Sequence, residues 1–208
     1  MIPHAMRAAA LRVPTPRRLL MLAGACACAL ALGACGKMHE CETYAATGGT
    51  YLCMNGLDYQ VQISRQLNPY DAEDRWYLVG LSRAQATLLP GQAWYAVFIR
   101  ITNYSAHPRV APPLGHYWIV DTLAHLYRPL VVDATVNPYQ YVGGVLGVGG
   151  APHDAIIPHL DTPAQSGPVN GAMLLFKVNV VSYDNRPLTL FIQSPTDPHQ
   201  TVREDLDV

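Results

Sequence analysis

Four groups of side chains in this 208-residue chain are of types that can do chemistry, and their spacing decides which chemistry is open to them. His107, His116 and His125 recur every nine residues, while His153 and His159 bracket a proline-bearing stretch with Asp154 and Asp161. Imidazoles hold a metal when a short local spacing puts two of them on one helix face or in a tight knuckle. Neither set has that spacing, so they read as solvated or hydrogen-bonded loop histidines and not as a metal site. Asp71, Glu73 and Asp74 form the densest acidic group before the C-terminus, but they lack the Asp-x-Asp-x-Asp-Gly pattern of a calcium loop. They read as a solvated loop with Arg75 as local counter-charge. The sequence contains no Gly-x-Ser-x-Gly elbow, His-Glu-x-x-His, Walker loop or Ser-x-x-Lys. The glycine-rich run 143–150 reads as a flexible loop, because no helix pattern follows that would make it a phosphate cradle. The reading is therefore of a non-catalytic protein with no metal ligands and no cofactor.

The fourth group is aromatic. All 12 tyrosines lie beyond residue 35, several in turn-like contexts such as Asn68-Pro69-Tyr70 and Asn137-Pro138-Tyr139-Gln140-Tyr141. Tyrosine is rigid and amphipathic and is enriched in recognition surfaces, which makes Tyr70, Tyr139 and Tyr141 the candidate partner-binding residues. The competing reading is that such tyrosines fill the rim of a β core and bond backbone carbonyls through their hydroxyls.

The first 35 residues speak about location. Arg7, Arg12, Arg17 and Arg18 form a basic start without acidic residues, and Leu19 to Ala34 is an unbroken apolar and small run that stops at Leu32-Gly33-Ala34-Cys35. Its 16 residues are short for a span that needs about 20, so residues 1–34 read as a signal peptide that is removed. The stop resembles a bacterial lipobox, with Cys35 as the acylated first residue of the mature chain. Diacylglycerol on the thiol and a further chain on the amine exceed the two signals that stable anchoring takes. The expected location is thus the extracytoplasmic face of a bacterial membrane, with membrane lipid as one partner. An ordinary cleavage at Ala27-Cys28-Ala29 and a twin-arginine reading of Arg17-Arg18 are the alternatives.

Processing changes the charge. The chain has 14 basic and 15 acidic residues, and the four leader arginines are lost while every acidic residue stays. A net acidic mature chain has no basic footprint for nucleic acid. Cysteine usage agrees with export: Cys41 and Cys53 remain as an even pair in an oxidising compartment and are expected to form a disulfide, closing a loop worth on the order of 3 kcal/mol in the chain-entropy model.

The elements that must carry these residues are strands. Apolar residues at 57, 59, 61 and 63 alternate with polar ones, and Trp94 to Thr102 puts Val97, Ile99 and Ile101 on one face and Phe98, Arg100 and Thr102 on the other. Further β-rich runs lie at 117–121, 126–132, 172–181, 188–192 and 201–208, separated by Pro, Gly, Asn and Asp clusters. Only Ser82 to Leu89 has helical character. Seven or eight antiparallel strands suit an all-β sandwich. The expected organisation is residues 1–34 as signal peptide, 35–56 as lipid anchor and disulfide-bearing segment, and 57–208 as the sandwich domain.

The succession Trp94 to Asn103, Ile119-Val120-Asp121-Thr122 with Tyr127-Arg128-Pro129-Leu130, Asn137-Pro138-Tyr139, Gly171 to Lys177 and Asn185-Arg186-Pro187-Leu188 resembles a bacterial immunoglobulin-like domain-of-unknown-function family carried by extracytoplasmic lipoproteins. Ile63-Ser64-Arg65 with Asn68-Pro69 and Glu73-Asp74-Arg75 resembles the leader into the same domain. The resemblance implies an immunoglobulin-like fold and an envelope location, and no activity. The family pattern has Gly where Ala124 stands, so either a left-handed turn there costs about 1 kcal/mol or the hairpin has another geometry. The functional reading is a lipid-anchored envelope module that binds an unidentified envelope protein or plays a structural part. A periplasmic carrier of metal or small ligand is the second reading and an enzyme the third. Cells fed a clickable fatty acid should label the wild-type protein and not Cys35→Ala; equal labelling and equal membrane retention of the two would refute the anchor.

Overall fold

Alternating strands need cover on one face only, whereas Trp94 to Ile99 is apolar at every position and asks for cover on both. The computed structural model, which describes residues 51–148 and 154–206, shows how that demand is met. In chain order the elements are β1 (Tyr51–Met54), β2 (Leu57–Leu67), α1 (Asp74–Tyr77), β3 (Gln92–Asn103), β4 (Arg109–Val110), β5 (Tyr117–Val120), β6 (Leu126–Tyr127), β7 (Val145–Leu146), β8 (Ile156–Ile157), α2 (Pro163–Ser166), β9 (Ala172–Asn179), β10 (Leu188–Gln193) and β11 (Thr201–Leu206). One sheet runs β1-β2-β3, with β9 and β8 sharing the far edge of β3, and a second runs β11-β10-β5-β6. Every strand pairing is antiparallel. The chain changes sheet between β3 and β5, between β6 and β9, and again between β9 and β10. That connectivity is the Greek key of an immunoglobulin-type sandwich, in agreement with the all-β reading.

Tyr95, Val97, Ile99 and Ile101 of β3 meet Leu174, Phe176 and Val178 of β9 and, from the other sheet, Tyr117, Ile119, Leu188, Leu190 and Ile192. This is the inter-sheet core. The opposite face of β3 presents Trp94, Ala96 and Phe98, which are equally buried in a second cluster with Leu67, Tyr77, Val132, Val169, Met173 and Leu175. The second cluster forms because α1 and the segments around residues 130–140 and 163–169 fold over the outer face of the first sheet.

Several boundaries differ from the sequence reading, each for a local reason. The sheet reaches back to Tyr51, into the segment set apart as anchor and disulfide region, because Asn55 and Gly56 both adopt left-handed φ (56° and 75°) and close a two-residue hairpin between β1 and β2. The run 126–132 is a strand only at Leu126–Tyr127. Pro129 has no N–H to give a ladder, and Leu130 makes one isolated bridge to Leu175. The run 172–181 ends at Asn179 and turns into a 3-10 helix over Val180–Tyr183. Ser82 to Leu89 makes a single turn, in which the Ala86 amide donates to the Ser82 carbonyl at 2.8 Å and Ser82 and Gln85 exchange backbone-to-side-chain hydrogen bonds of 3.0 and 3.3 Å; the α-helical turns among the described residues are α1 and α2. Within the glycine-rich run, Val145–Leu146 pairs with Arg109–Val110. Among the described residues no helix is long and apolar enough to cross a membrane.

Ala124 has φ 64°. Asp121 enforces it: its carbonyl accepts the Ala124 amide at 3.0 Å, and its Oδ1 accepts the amides of Leu123 and His125 at 3.0 and 2.9 Å. A Cβ in the left-handed region costs about 1–2 kcal/mol, part of which glycine returns through its own chain entropy. Ala124→Gly should therefore stabilise the protein by about 0.5–1 kcal/mol, read as a higher urea midpoint at unchanged m-value; an unchanged or lower midpoint would show that the turn is not strained.

Candidate functional site

Among the described residues no group of three or more His, Cys, Asp or Glu side chains is placed to hold a metal. His153 lies outside the described residues, as do Cys35 and Cys41, so the acyl site and the expected Cys41–Cys53 bridge are not seen; Cys53 Sγ sits 2.9 Å from Asp58 Oδ1 on the β1-β2 hairpin. One set does spell the residue types of a hydrolase. Ser182 Oγ donates to Asp121 Oδ2 at 2.7 Å, and His125 Nδ1 lies 2.8 Å from the same oxygen. The order is wrong for nucleophilic catalysis, because the imidazole must stand between serine and carboxylate. Here the carboxylate stands between, and Ser182 is fully buried. The set is a structural pin: Tyr127 Oη donates to Ser182 Oγ at 2.7 Å, and Asp121 gathers the β5-β6 turn and the corner before β10. Burial pushes the Asp121 carboxyl up, but the hydrogen bonds from His125 and Ser182 outweigh it and hold the group below the usual carboxylate range. The stability this carboxylate contributes is present above its unfolded value and is lost as pH falls through the lowered folded value.

The three candidate tyrosines separate. Tyr141 is 2 % exposed; it accepts a hydrogen bond from Tyr117 Oη at 2.8 Å and donates to the Pro112 carbonyl at 2.6 Å. Burial pushes its hydroxyl far above the usual range. It is a core residue and cannot meet a partner, which corrects the expectation for that position. Tyr70 is 91 % exposed on the turn after β2. Tyr139 is half-buried and lines a surface pocket of about 560 Å³.

That pocket is the candidate site. Its walls are Trp76 and Tyr77 from α1, Val136, Pro138 and Tyr139 from the segment before β7, Pro163 at the start of α2 and Pro168 just after it, with Glu73 at the rim. Trp76 and Val136 are 70 % and 54 % exposed. The floor is tied to the sheet by an aromatic ladder: the Tyr77 ring meets Phe98 of β3 edge-on at 5.0 Å and Tyr139 at 4.8 Å between centroids. Asn137 clamps the two walls together. It is 1 % exposed, its Nδ2 donates to the carbonyls of Tyr77 and Val79 at 3.0 and 2.9 Å, and its Oδ1 accepts the Tyr139 amide at 3.0 Å. Gly167 leaves room for the Tyr139 hydroxyl, which would lie 2.6 Å from any Cβ there.

Beside the pocket, and sharing Glu73 with it, is a depression of about 410 Å³ lined by Ile63, Arg65, Asn68, Asp71, Asp74 and Val169. Arg65 of β2 pairs with the buried Asp74, whose Oδ2 also accepts the Asn68 amide at 2.7 Å. The counter-charge of the acidic group is thus Arg65 and not Arg75. Asp71 Oδ1 accepts the amides of Glu73 and Asp74 at 2.8 and 3.2 Å and starts α1. Burial raises the hydroxyls of Tyr77 and Tyr139, and the Glu73 charge beside them adds to the rise. The arrangement can hold an apolar group between aromatic and prolyl walls next to a solvent-facing carboxylate.

Trp76, Pro163 and Pro168 were not singled out from the sequence, and Asn137 was read only as the start of an Asn-Pro-Tyr turn. The signal for Trp76 was a large aromatic side chain standing directly after the polar stretch Asp71 to Arg75.

No protein-family model and no curated protein matches the chain. The immunoglobulin-like family resemblance therefore has no family-model match, and what stands is the fold. Among solved structures, the chain has a TM-score of 0.46 and 11 % identity to the yjhA protein from Bacillus subtilis, over 76 % of this chain and 96 % of that one. A second, "a putative lipoprotein (ycdA)" from Bacillus subtilis subsp. subtilis str. 168, has a TM-score of 0.41 and 12 % identity over 76 % of this chain and 39 % of that one.

Asn137→Ala would remove the partner of the buried Tyr77 carbonyl and of the less buried Val79 carbonyl and Tyr139 amide, at about 1–3 kcal/mol for such a loss. It should lower the urea midpoint accordingly; a variant as stable as the wild type would show that the clamp is not what holds the pocket walls.

Proposed function

We propose that the protein is a lipid-anchored lipoprotein of a bacterial envelope whose sandwich is a non-catalytic module that binds an envelope protein through the Trp76–Tyr139 pocket. The leader ending at Cys35 supports the location. The binding reading is carried by one observation: a largely exposed tryptophan stands over a preformed apolar pocket whose floor is locked to the sheet through Tyr77 and Asn137. Exposed tryptophan and tyrosine in a rigid pocket are the side chains that carry most binding energy in protein interfaces, because they bring large apolar area at low entropy cost. From Cys35 to Tyr51 the chain can span about 55 Å at full extension. The domain therefore works within that distance of its membrane, and the partner is a membrane protein or a juxtamembrane assembly on the same face. The Cys41–Cys53 disulfide belongs to the same proposal and shortens the reach further.

A photo-cross-linking residue at position 76 in intact cells should give one dominant protein adduct, and the same residue at position 126, exposed on the opposite sheet, should not. Adducts of equal yield and identity at both positions, or none at position 76, would overturn the pocket as the recognition site.

A further inference from the structure

The apolar pocket and the acidic depression are joined through Glu73, so a ligand lying across both meets two different chemistries in a fixed order. Of the three carboxylates in that region, Asp74 is answered by Arg65. Asp71 spends one oxygen on the amides that start α1. Glu73 is exposed, and among the described residues its carboxylate enters no ion pair. The site thus asks for an apolar group against Trp76 and Tyr139 and, a short distance along the surface, a cation against Glu73 and Asp71.

We propose that the occupant is an extended, proline-bearing peptide segment with a basic residue next to its prolyl rings. This rests on the pocket being the recognition site and deepens that reading. The polyproline II helix carries its own rigidity and has no internal hydrogen bonds to match, and aromatic-lined grooves take its rings by shape. The walls fit that mode: Trp76 and Tyr139 are flat, Pro138 and Pro163 are rigid, and the Tyr139 hydroxyl is tucked against Gly167. Selection then falls to shape and to the carboxylates, which discriminate a basic segment from a neutral one. A small quaternary ammonium is also recognised by aromatic faces, but it would use the pocket alone and leave the acidic depression unfilled.

The test is calorimetric titration of the full acylated protein in non-ionic detergent with three probes: acetyl-Pro-Pro-Pro-Arg-Pro-Pro-amide, its counterpart with Gln in place of Arg, and tetramethylammonium chloride. The Arg peptide should bind saturably, and the Gln peptide about fivefold more weakly. Glu73→Gln should weaken the Arg peptide by a similar factor and bring the two peptides level, while Trp76→Ala should abolish binding of both; each variant should keep the wild-type unfolding midpoint, since both side chains are exposed. Equal affinities for the two peptides, unimpaired binding by Trp76→Ala, or no saturable binding of the Arg peptide would overturn the proposal. Displacement of the peptide by tetramethylammonium at lower concentration than the peptide's own dissociation constant would reassign the site to a small cation. Where cross-linking from position 76 captures a partner that the Arg peptide does not displace, the ligand chemistry fails and the recognition site stands.

Discussion

The double burial of β3 is the constraint from which the rest of the molecule follows. Its inward residues Tyr95, Val97, Ile99 and Ile101 are covered by the second sheet, which any sandwich supplies. Its outward residues Trp94, Ala96 and Phe98 have no third sheet to meet, and leaving each large one in water would forfeit about 1.5–3 kcal/mol. Loops must therefore act as a layer. Loops bring unsatisfied backbone polar groups with them, and those have to be answered by side chains wherever the cover is dry. Asn137 and the Arg65–Asp74 pair are those answers: one accounts for the carbonyls of Tyr77 and Val79, the other for the Asn68 amide.

The same demand explains why tyrosine is both a core and a surface residue here. A phenol can fill core volume if its hydroxyl reaches a partner, since a buried hydroxyl left alone costs free energy. Tyr117 passes its hydrogen bond to Tyr141, and Tyr141 passes it to the Pro112 carbonyl, so three polar atoms are satisfied in one line inside the inter-sheet core. Tyr127 reaches Ser182 and through it Asp121. Tyr59 and Tyr183 keep buried hydroxyls without a hydrogen-bond partner among the described residues. At the corner before β10, the hydroxyl that bonds is that of Ser182 and not that of its neighbour Tyr183.

What could be read in the sequence was what depends on period. Leu57, Tyr59 and Val61 keep the expected face toward the core, whereas Ile63, beyond a register shift after Val61, is 40 % exposed; in β3 the expected face is inward, with Ile99 wholly buried, but the opposite face is buried as well. At Ala124 the resemblance left two outcomes, a left-handed turn under strain or another hairpin geometry, and the φ of 64° is the first. Strands of two residues such as β4, β7 and β8 have no period to read, because they exist only through the partner across from them. The β1-β2 hairpin is different: Asn55-Gly56 is a strong local signal for a two-residue hairpin, and it stands inside the segment that the sequence reading assigned to the anchor and disulfide. Asn137 read as the first residue of an Asn-Pro-Tyr turn, which it is; that its amide also spans to Tyr77 is a contact between residues 60 apart in sequence and has no local trace. Tyr139 and Tyr141 are two apart in one turn, and only the packing decides that one lines the surface pocket while the other joins the core.

A pocket made at the margin of a loop layer has a consequence for how tightly it can bind. It is preformed where Tyr77 and Asn137 hold it, so a ligand does not have to order its floor. Yet only Trp76, Val136 and the prolyl edges face outward, and the neighbouring carboxylates sit in solvent, where each contact with a cation is worth about 1 kcal/mol or less. A ligand of the proposed kind would bind such a site weakly on its own. The proposed acyl anchor at Cys35 would change the arithmetic, because a partner held on the same membrane would be presented at the high effective concentration set by the length of chain between lipid and sheet. Weak, salt-sensitive contacts then suffice for occupancy, and release needs only that the partner leave the neighbourhood. In the proposed arrangement the anchor and the pocket would be one device: the short tether would supply concentration, and the loop layer that β3 requires would supply selectivity.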